Sequence, residues 1–310
     1  MNPPLRRPSL FVLAGLASLV LTACGSSPST PSAAASAPTS APVTVVASTN
    51  VYGDIAKQIG GDKVQVTSII TDPEQDPHSY EANTQNQLAL SKAKVVIENG
   101  GGYDDFVDTM LKTANNPSAQ LLNAVTISGR TAPAGGELNE HVWYDFPAMT
   151  KLADQISAAL GKADTANATT FTTNAETFKQ KLANLQQREA DIAKTAKGTA
   201  VAITEPVPGY LLEACGLVNA TPEEFAEAIE EGDDVSPKVL AETLALFSGK
   251  KVQALVYNEQ TAGPQTEKVQ QAATDNGIPV VPVTETLPAG KDYTGWMTGN
   301  LDALGKALGR

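Results

Sequence analysis

Cysteine and histidine are scarce, with two of each in 310 residues. Two cysteines cannot build a disulfide framework, and two histidines exclude a histidine-rich metal store, so each histidine has to be explained individually. Aromatic residues make up only 5%, and 22 basic residues face 34 acidic ones, for a net charge of −12. A chain that repels polyanions is a poor partner for nucleic acid. What is present is globular in composition: 42% hydrophobic and 18% charged residues, with 24 Gly and 20 Pro. The length suggests about two domains.

No apolar run reaches the roughly 20 residues that a membrane-spanning helix needs. The strongest one, residues 10–20, follows Arg6 and Arg7 and runs into Leu21-Thr22-Ala23-Cys24-Gly25. Charge, run length and small residues agree on an export leader over residues 1–23. The small residues before the cysteine resemble a bacterial lipobox. That resemblance implies cleavage before Cys24, lipidation of its sulfur and an extracytoplasmic position on the cell envelope, anchored to the membrane by lipid. An ordinary signal peptide with an incidental cysteine is the plainer alternative. Residues 24–42 carry no charge and are mostly Ser, Ala and Pro, which reads as a flexible tether. Cys215 lies in an apolar helical stretch and is expected to be a buried, unreactive thiol.

Beyond the tether, short β-branched runs recur at 43–47, 64–70, 95–98, 199–203, 252–257 and 278–283, each followed by helix-like sequence. Strands alternating with helices indicate an α/β chain with parallel sheets. Ser236-Pro237 reads as a helix cap followed by proline at the first position, with a stop at Gly249; a second helix ends at Asn276-Gly277. The run Gly100-Gly101-Gly102 faintly suggests a phosphate cradle. It has no lysine where a P-loop needs one, and Asp104 and Asp105 would repel phosphate, so a tight turn is expected.

Residues 165–197 contain neither Pro nor Gly, and Phe171, Phe178, Leu182, Leu185 and Ile192 follow one another at steps of seven, four, three and seven. That spacing predicts one long amphipathic helix with a single buried stripe. About 30 residues at 1.5 Å rise make a rod of roughly 45 Å, longer than one lobe requires. The rod is expected to connect an N-terminal α/β lobe, 43–164, to a C-terminal one, 198–310. A coiled-coil dimer seam is less well supported, because the heptads last for only about three repeats.

His78 follows the run 64–70, and His141 lies in a polar, turn-rich stretch; Glu205 and Glu285 stand just past the runs 199–203 and 278–283. Open α/β sheets bind ligands beyond the carboxyl ends of their strands. The stretch 45–61, together with Asp76-Pro77-His78-Ser79-Tyr80-Glu81, the stretch 90–97, Glu140-His141-Val142-Trp143 and Asn300-Leu301-Asp302, resembles the zinc- and manganese-binding solute-binding proteins of ABC importers, cluster A-I, the ZnuA/TroA-like family.

The resemblance implies two α/β lobes joined by one rigid helix, with a metal in the cleft between them. His78 and His141 match the family's two histidines of the first lobe. Glu205 falls where members carry His or Glu, and Glu285 where they usually carry Asp; Glu259 is a reserve candidate in the same lobe. Imidazole suits Zn²⁺ or Mn²⁺, and two carboxylates neutralise the charge while moving the site toward harder metals. Four protein ligands leave no open position for a catalytic water, so carriage of the ion, not an enzymatic reaction, is expected. Glu205 in place of a third histidine, and the absence of a His-rich loop over 127–139, favour Mn²⁺ with Zn²⁺ next. The expected protein is a monomeric, lipid-anchored receptor that carries one divalent ion as cargo to an ABC permease. A secreted metal-dependent hydrolase and a surface adhesin of the same family are the alternatives.

Overall fold

The computed structural model describes residues 41–309 apart from 73, 74, 76, 79, 81 and 82. The leader, Cys24 and almost all of the tether lie outside the described residues. No helix among the described residues is long and apolar enough to cross a membrane.

Two four-stranded parallel sheets carry the architecture. The first half runs β1 (Val43–Thr49), α1 (Asn50–Gly60), β2 (Val64–Ile70), α2 (Thr84–Lys92), β3 (Val95–Glu98), α3 (Phe106–Ala114), β4 (Gln120–Asn123), α4 (Ala124–Ser128) and α5 (Phe146–Ala163). A long helix, α6 (Ala168–Ala196), follows. The second half runs β5 (Ala200–Ile203), α7 (Gly209–Ala214), β6 (Val218–Asn219), α8 (Glu223–Glu230), α9 (Pro237–Ser248), β7 (Leu255–Asn258), α10 (Pro264–Asp275), β8 (Val280–Val283) and α11 (Tyr293–Ala307). The strand orders are β2-β1-β3-β4 and β6-β5-β7-β8, the same topology twice. In each sheet the chain reverses its winding direction next to the first strand, and the crevice at such a switch point is where α/β sheets bind ligands.

Residues in the central strands are buried on both faces, as parallel strands covered by helices must be. Val45 pairs with Val66 on one side and Val95 on the other, and Val43, Val45, Val46 and Ala47 are all buried. The sequence runs locate six of the eight strands. β4 and β6 escape them because Gln-Leu-Leu-Asn has no β-branched residue and Val218–Asn219 is a two-residue exposed edge.

α6 begins three residues later than the periodicity predicts, after a single 3₁₀ turn at Thr165–Asn167. Phe171, Phe178, Leu182 and Leu185 are buried, whereas Ile192 is only partly so, and Glu189 joins the stripe unannounced at 4% exposure. The helix packs on α1 and α5 in the first half and on α7 and α11 in the second, so one continuous apolar core reaches from β1 to α11. Ser236 Oγ accepts the Val239 N–H at 3.3 Å and caps α9, with Pro237 at its first position.

The glycine run is a turn with φ of 76°, 75° and 104° at Gly100, Gly101 and Gly102. Its amides serve the chain itself: Asp104 accepts the N–H groups of Asn99 and Gly100, both at 2.7 Å. The two halves also hold each other directly. Asn50 exchanges two hydrogen bonds with the Leu287 backbone, at 3.0 and 2.9 Å, and Asp54 accepts the Tyr293 N–H at 2.8 Å.

Candidate metal centre

The carboxyl ends of both sheets open on one cavity of about 320 Å³ between the halves. His78 reaches it from the loop after β2, His141 from the residue before a short 3₁₀ turn at Val142–Tyr144, Glu205 from just past β5 and Glu285 from just past β8. All four residues singled out in the sequence therefore line the same space. Glu259 does not line it and is exposed.

The two imidazoles are held differently. His141 is 1% exposed. Asn139 Oδ1 accepts from the His141 backbone N–H at 3.0 Å and from its Nδ1 at 2.9 Å. The other end of that amide donates to the Pro206 carbonyl at 2.9 Å, which fixes which atom is oxygen. Nδ1 therefore carries the hydrogen, and the Nε2 lone pair faces the cavity. The contact is close: a Cβ at Gly209, opposite, would stand 2.6 Å from Asn139 Nδ2. Burial lowers the pKa of His141 and keeps the ring neutral, the form that ligates. The His78 side chain is 32% exposed, its Nε2 lies 3.2 Å from Glu140 Oε1, and its ring stands edge-on to Tyr103 at 5.2 Å. Burial pushes the Glu140 carboxyl up, but the hydrogen bond to His78 and the neighbouring imidazoles prevail and leave it below the ordinary range.

The carboxylates of the second half share one donor. Asn258, the last residue of β7, directs its amide to Glu205 Oε2 and, at 2.8 Å, to Glu285 Oε1. Tyr103, from the first half, donates to Glu285 Oε2 at 3.2 Å. Gln260 Oε1 accepts the backbone N–H groups of Glu285 and Thr286 at 2.6 and 2.9 Å and fixes that turn. The remaining Glu205 oxygen, Oε1, is buried without a hydrogen-bond partner in a residue 2% exposed. Burial, then the charge of Glu285, raises the Glu205 carboxyl to about 7.

Glu230, the last residue of α8, also lines the cavity, and its Oε1 lies 3.5 Å from His141 Nε2. Burial, then the fields of Glu140 and Glu205, raises its carboxyl to about 9. Among the described residues no lysine or arginine lines the cavity, so no fixed positive charge there compensates these carboxylates. Imidazole nitrogens and carboxylate oxygens lining one cavity form a donor set for a divalent cation.

Sequence reasoning missed Glu230 as a cavity group, Glu140 as the partner of His78, and Asn139, Asn258 and Tyr103 as supports of the lining residues. Glu140 adjoins His141 and could have been found from that adjacency. Asn139 lies two residues from His141 and is local in the same way; Glu230, Asn258 and Tyr103 carry no local signal, because what recruits them is contact between residues distant in the chain.

Two α/β lobes of identical strand order, joined by a long helix and closing on a nitrogen- and oxygen-lined cavity, define a two-lobed binding protein of the helix-linked type. The chain belongs to the family described as zinc-uptake complex component A, periplasmic, which it matches over residues 45–307. It is 26% identical to the manganese-binding lipoprotein MntA of Bacillus subtilis (strain 168), over 97% of this chain and 99% of that protein. It is likewise 26% identical to the manganese ABC transporter substrate-binding lipoprotein PsaA of Streptococcus mitis, over 97% of this chain and 98% of that one. Among solved structures, the periplasmic zinc-binding protein TroA of Treponema pallidum superposes with a TM-score of 0.74 at 20% identity, covering 87% of this chain and all of that one.

Proposed function

We propose that this protein captures a single divalent transition-metal ion, Mn²⁺ or Zn²⁺, outside the cytoplasm and delivers it to the permease of an ABC importer. One observation carries the reading: His78 and His141 from one lobe and Glu205 and Glu285 from the other line one small cavity in which, among the described residues, there is no lysine or arginine. Ligands drawn from both lobes make the ion a clamp, so occupancy biases how the lobes meet and a permease can sense it. The four groups are the proposed ligands. Filling four positions with protein atoms leaves the ion as cargo, without an open position for chemistry on a substrate. Two carboxylates favour Mn²⁺, and the relatives named for manganese support the same preference. Those relatives are also named lipoproteins, which supports removal of residues 1–23, lipidation at Cys24 and a tether over 24–42 that leaves a monomeric two-lobed body free to reach the permease.

The test is native mass spectrometry with elemental analysis of protein purified without added metal, followed by titration of the stripped protein with Mn²⁺ and Zn²⁺. One ion per chain is expected. The Trp143 ring lies 5.0 Å from His141, so tryptophan emission should change on binding. Glu285→Ala should weaken binding and Glu259→Ala should not. A folded protein with no bound ion and a flat titration for both metals would remove the reading.

A further inference from the structure

Glu230 is explained neither by packing nor by the four-ligand set. Its Oε1 is buried and accepts no hydrogen bond. It faces His141 Nε2 at 3.5 Å, again without a hydrogen bond, although the orientation of Asn139 leaves a lone pair on that nitrogen. Two electron-rich atoms held face to face repel unless a proton or a cation stands between them, and a bound cation displaces the proton. Donors about 2.1–2.2 Å from a shared cation and 3.5 Å apart subtend an angle of about 105–115°, an ordinary ligand–metal–ligand angle. Ligand atoms of Glu140, His141 and Glu230 all lie within 4.8 Å of one another, close enough for a single ion to reach both Glu230 and His141.

Two further features oppose a charge on Glu230 in the absence of a cation. It ends α8, where the helix dipole is unfavourable to a negative charge, and Glu231 follows it directly. The same cavity holds the almost fully buried Glu205 Oε1, which makes no well-formed hydrogen bond although the Thr261 hydroxyl lines the same space. Glu230 also lines the neighbouring, larger cleft, and so stands where the two spaces meet.

We infer that Glu230 is a further ligand of the bound ion, a third carboxylate from the second lobe that turns a four-coordinate site into one of higher coordination. The inference rests on the metal-binding reading and refines its specificity. Two nitrogens and three carboxylates satisfy a harder, higher-coordinate ion such as Mn²⁺, whereas tetrahedral Zn²⁺ is satisfied without the fifth donor. Glu230 therefore selects for Mn²⁺ by adding to its shell what Zn²⁺ does not use.

The experiment titrates the metal-stripped full chain with MnCl₂ and with ZnCl₂, comparing the wild type with Glu230→Gln, which keeps shape, and Glu224→Gln, which removes a charge from the exposed side of the same helix. Glu230→Gln is expected to weaken Mn²⁺ binding by about tenfold or more and Zn²⁺ binding by clearly less, with Glu224→Gln close to the wild type for both. Co²⁺ supplies a readout of coordination number: its visible d–d absorption is weak in a five- or six-coordinate shell and intense in a four-coordinate one. The wild type should show the weak spectrum and Glu230→Gln the intense one. Glu230→Asp, which draws the carboxylate back by one methylene, should fall between them. Unchanged Mn²⁺ affinity together with an unchanged Co²⁺ spectrum in Glu230→Gln overturns the inference and leaves the metal-binding reading intact; failure of the wild type to bind either ion overturns that reading instead.

Discussion

Buried carboxylates occur in two regions of this protein, and their surroundings differ in kind. In the cleft, Glu205 and Glu285 share the Asn258 amide and line one cavity with the neutral His141 imidazole. On the connector helix, Glu189 is 4% exposed and no hydrogen bond or ion pair to the described residues engages it. Burial raises one carboxyl in each region, Glu205 to about 7 and Glu189 to about 8. A raised pKa by itself therefore does not mark a ligand, since burial raises Glu189 far from the cleft as well. What separates the regions is the company the carboxylates keep: those of the cleft line one cavity with His78 and His141 and share an amide donor, whereas Glu189 has Asp145, Cys215 and Tyr293 near enough to feel its charge.

The largest expected effect tests that separation directly. His141→Ala removes the pinned, buried nitrogen and should cost more than about a hundredfold in Mn²⁺ affinity, beyond what loss of a supporting hydrogen bond costs. His78 is a third exposed and already hydrogen-bonded to Glu140, so His78→Ala should cost less, on the order of tenfold. Glu189→Gln should leave affinity within about twofold, the level of a change that touches no ligand. Isothermal titration of the three variants decides the matter, and a Glu189→Gln loss matching that of His141→Ala would erase the distinction between the two regions.

A smaller effect sharpens it. Asn258 is the one donor both cleft carboxylates share, and Glu189 has no counterpart to it. Asn258→Leu leaves two like-charged groups with no common donor between them, and a loss of about ten- to a hundredfold in affinity is expected. Asn139→Ala frees the His141 ring to rotate or change tautomer and should fall in the same range. Affinities of both variants equal to the wild type would mean that the ion itself, and not these amides, organises the donors.

The two regions also differ in how far they could be read from sequence. Runs of β-branched residues and a proline-free amphipathic stretch are local signals, and they locate the alternating architecture, six of eight strands and the connector. His78, His141, Glu205 and Glu285 were found because each stands at a strand end or in a motif that resembles the family's. Asn258 and Glu230 have no such marker. Asn258 ends a strand like any polar residue, and Glu230 sits in an acidic helix that reads as a solvated face; their roles arise only when β7 and α8 meet the other elements. Glu189 escaped for the opposite reason: its position on the buried stripe is legible from the period, but a glutamate there breaks the apolar pattern, and a reading by hydrophobicity passes over it.

Glu189 supplies the smallest effect, on stability and not on binding. Its carboxyl is about 8 in the folded protein against an ordinary 4.5, raised by burial and then by Asp145. Between those values the folded state holds a proton that the unfolded state has released, so stability contributed by this group is complete below about 4.5 and is lost as pH rises toward 8. Glu189→Gln imitates the protonated form and cannot ionise. Near pH 5 the variant and the wild type should melt together; near pH 8 the variant should be more stable by about 1–3 kcal/mol, a few degrees in Tm. Cys215 and Tyr293 feel the Glu189 charge, but both titrate above this window and cannot produce the difference. Thermal melts of the metal-stripped protein at the two pH values make the measurement, since bound metal would add its own pH-dependent stabilisation. A gap between variant and wild type that stays constant with pH would show that Glu189 is already ionised and solvated in the fold, and the connector would then hold no buried acid to set against the cleft.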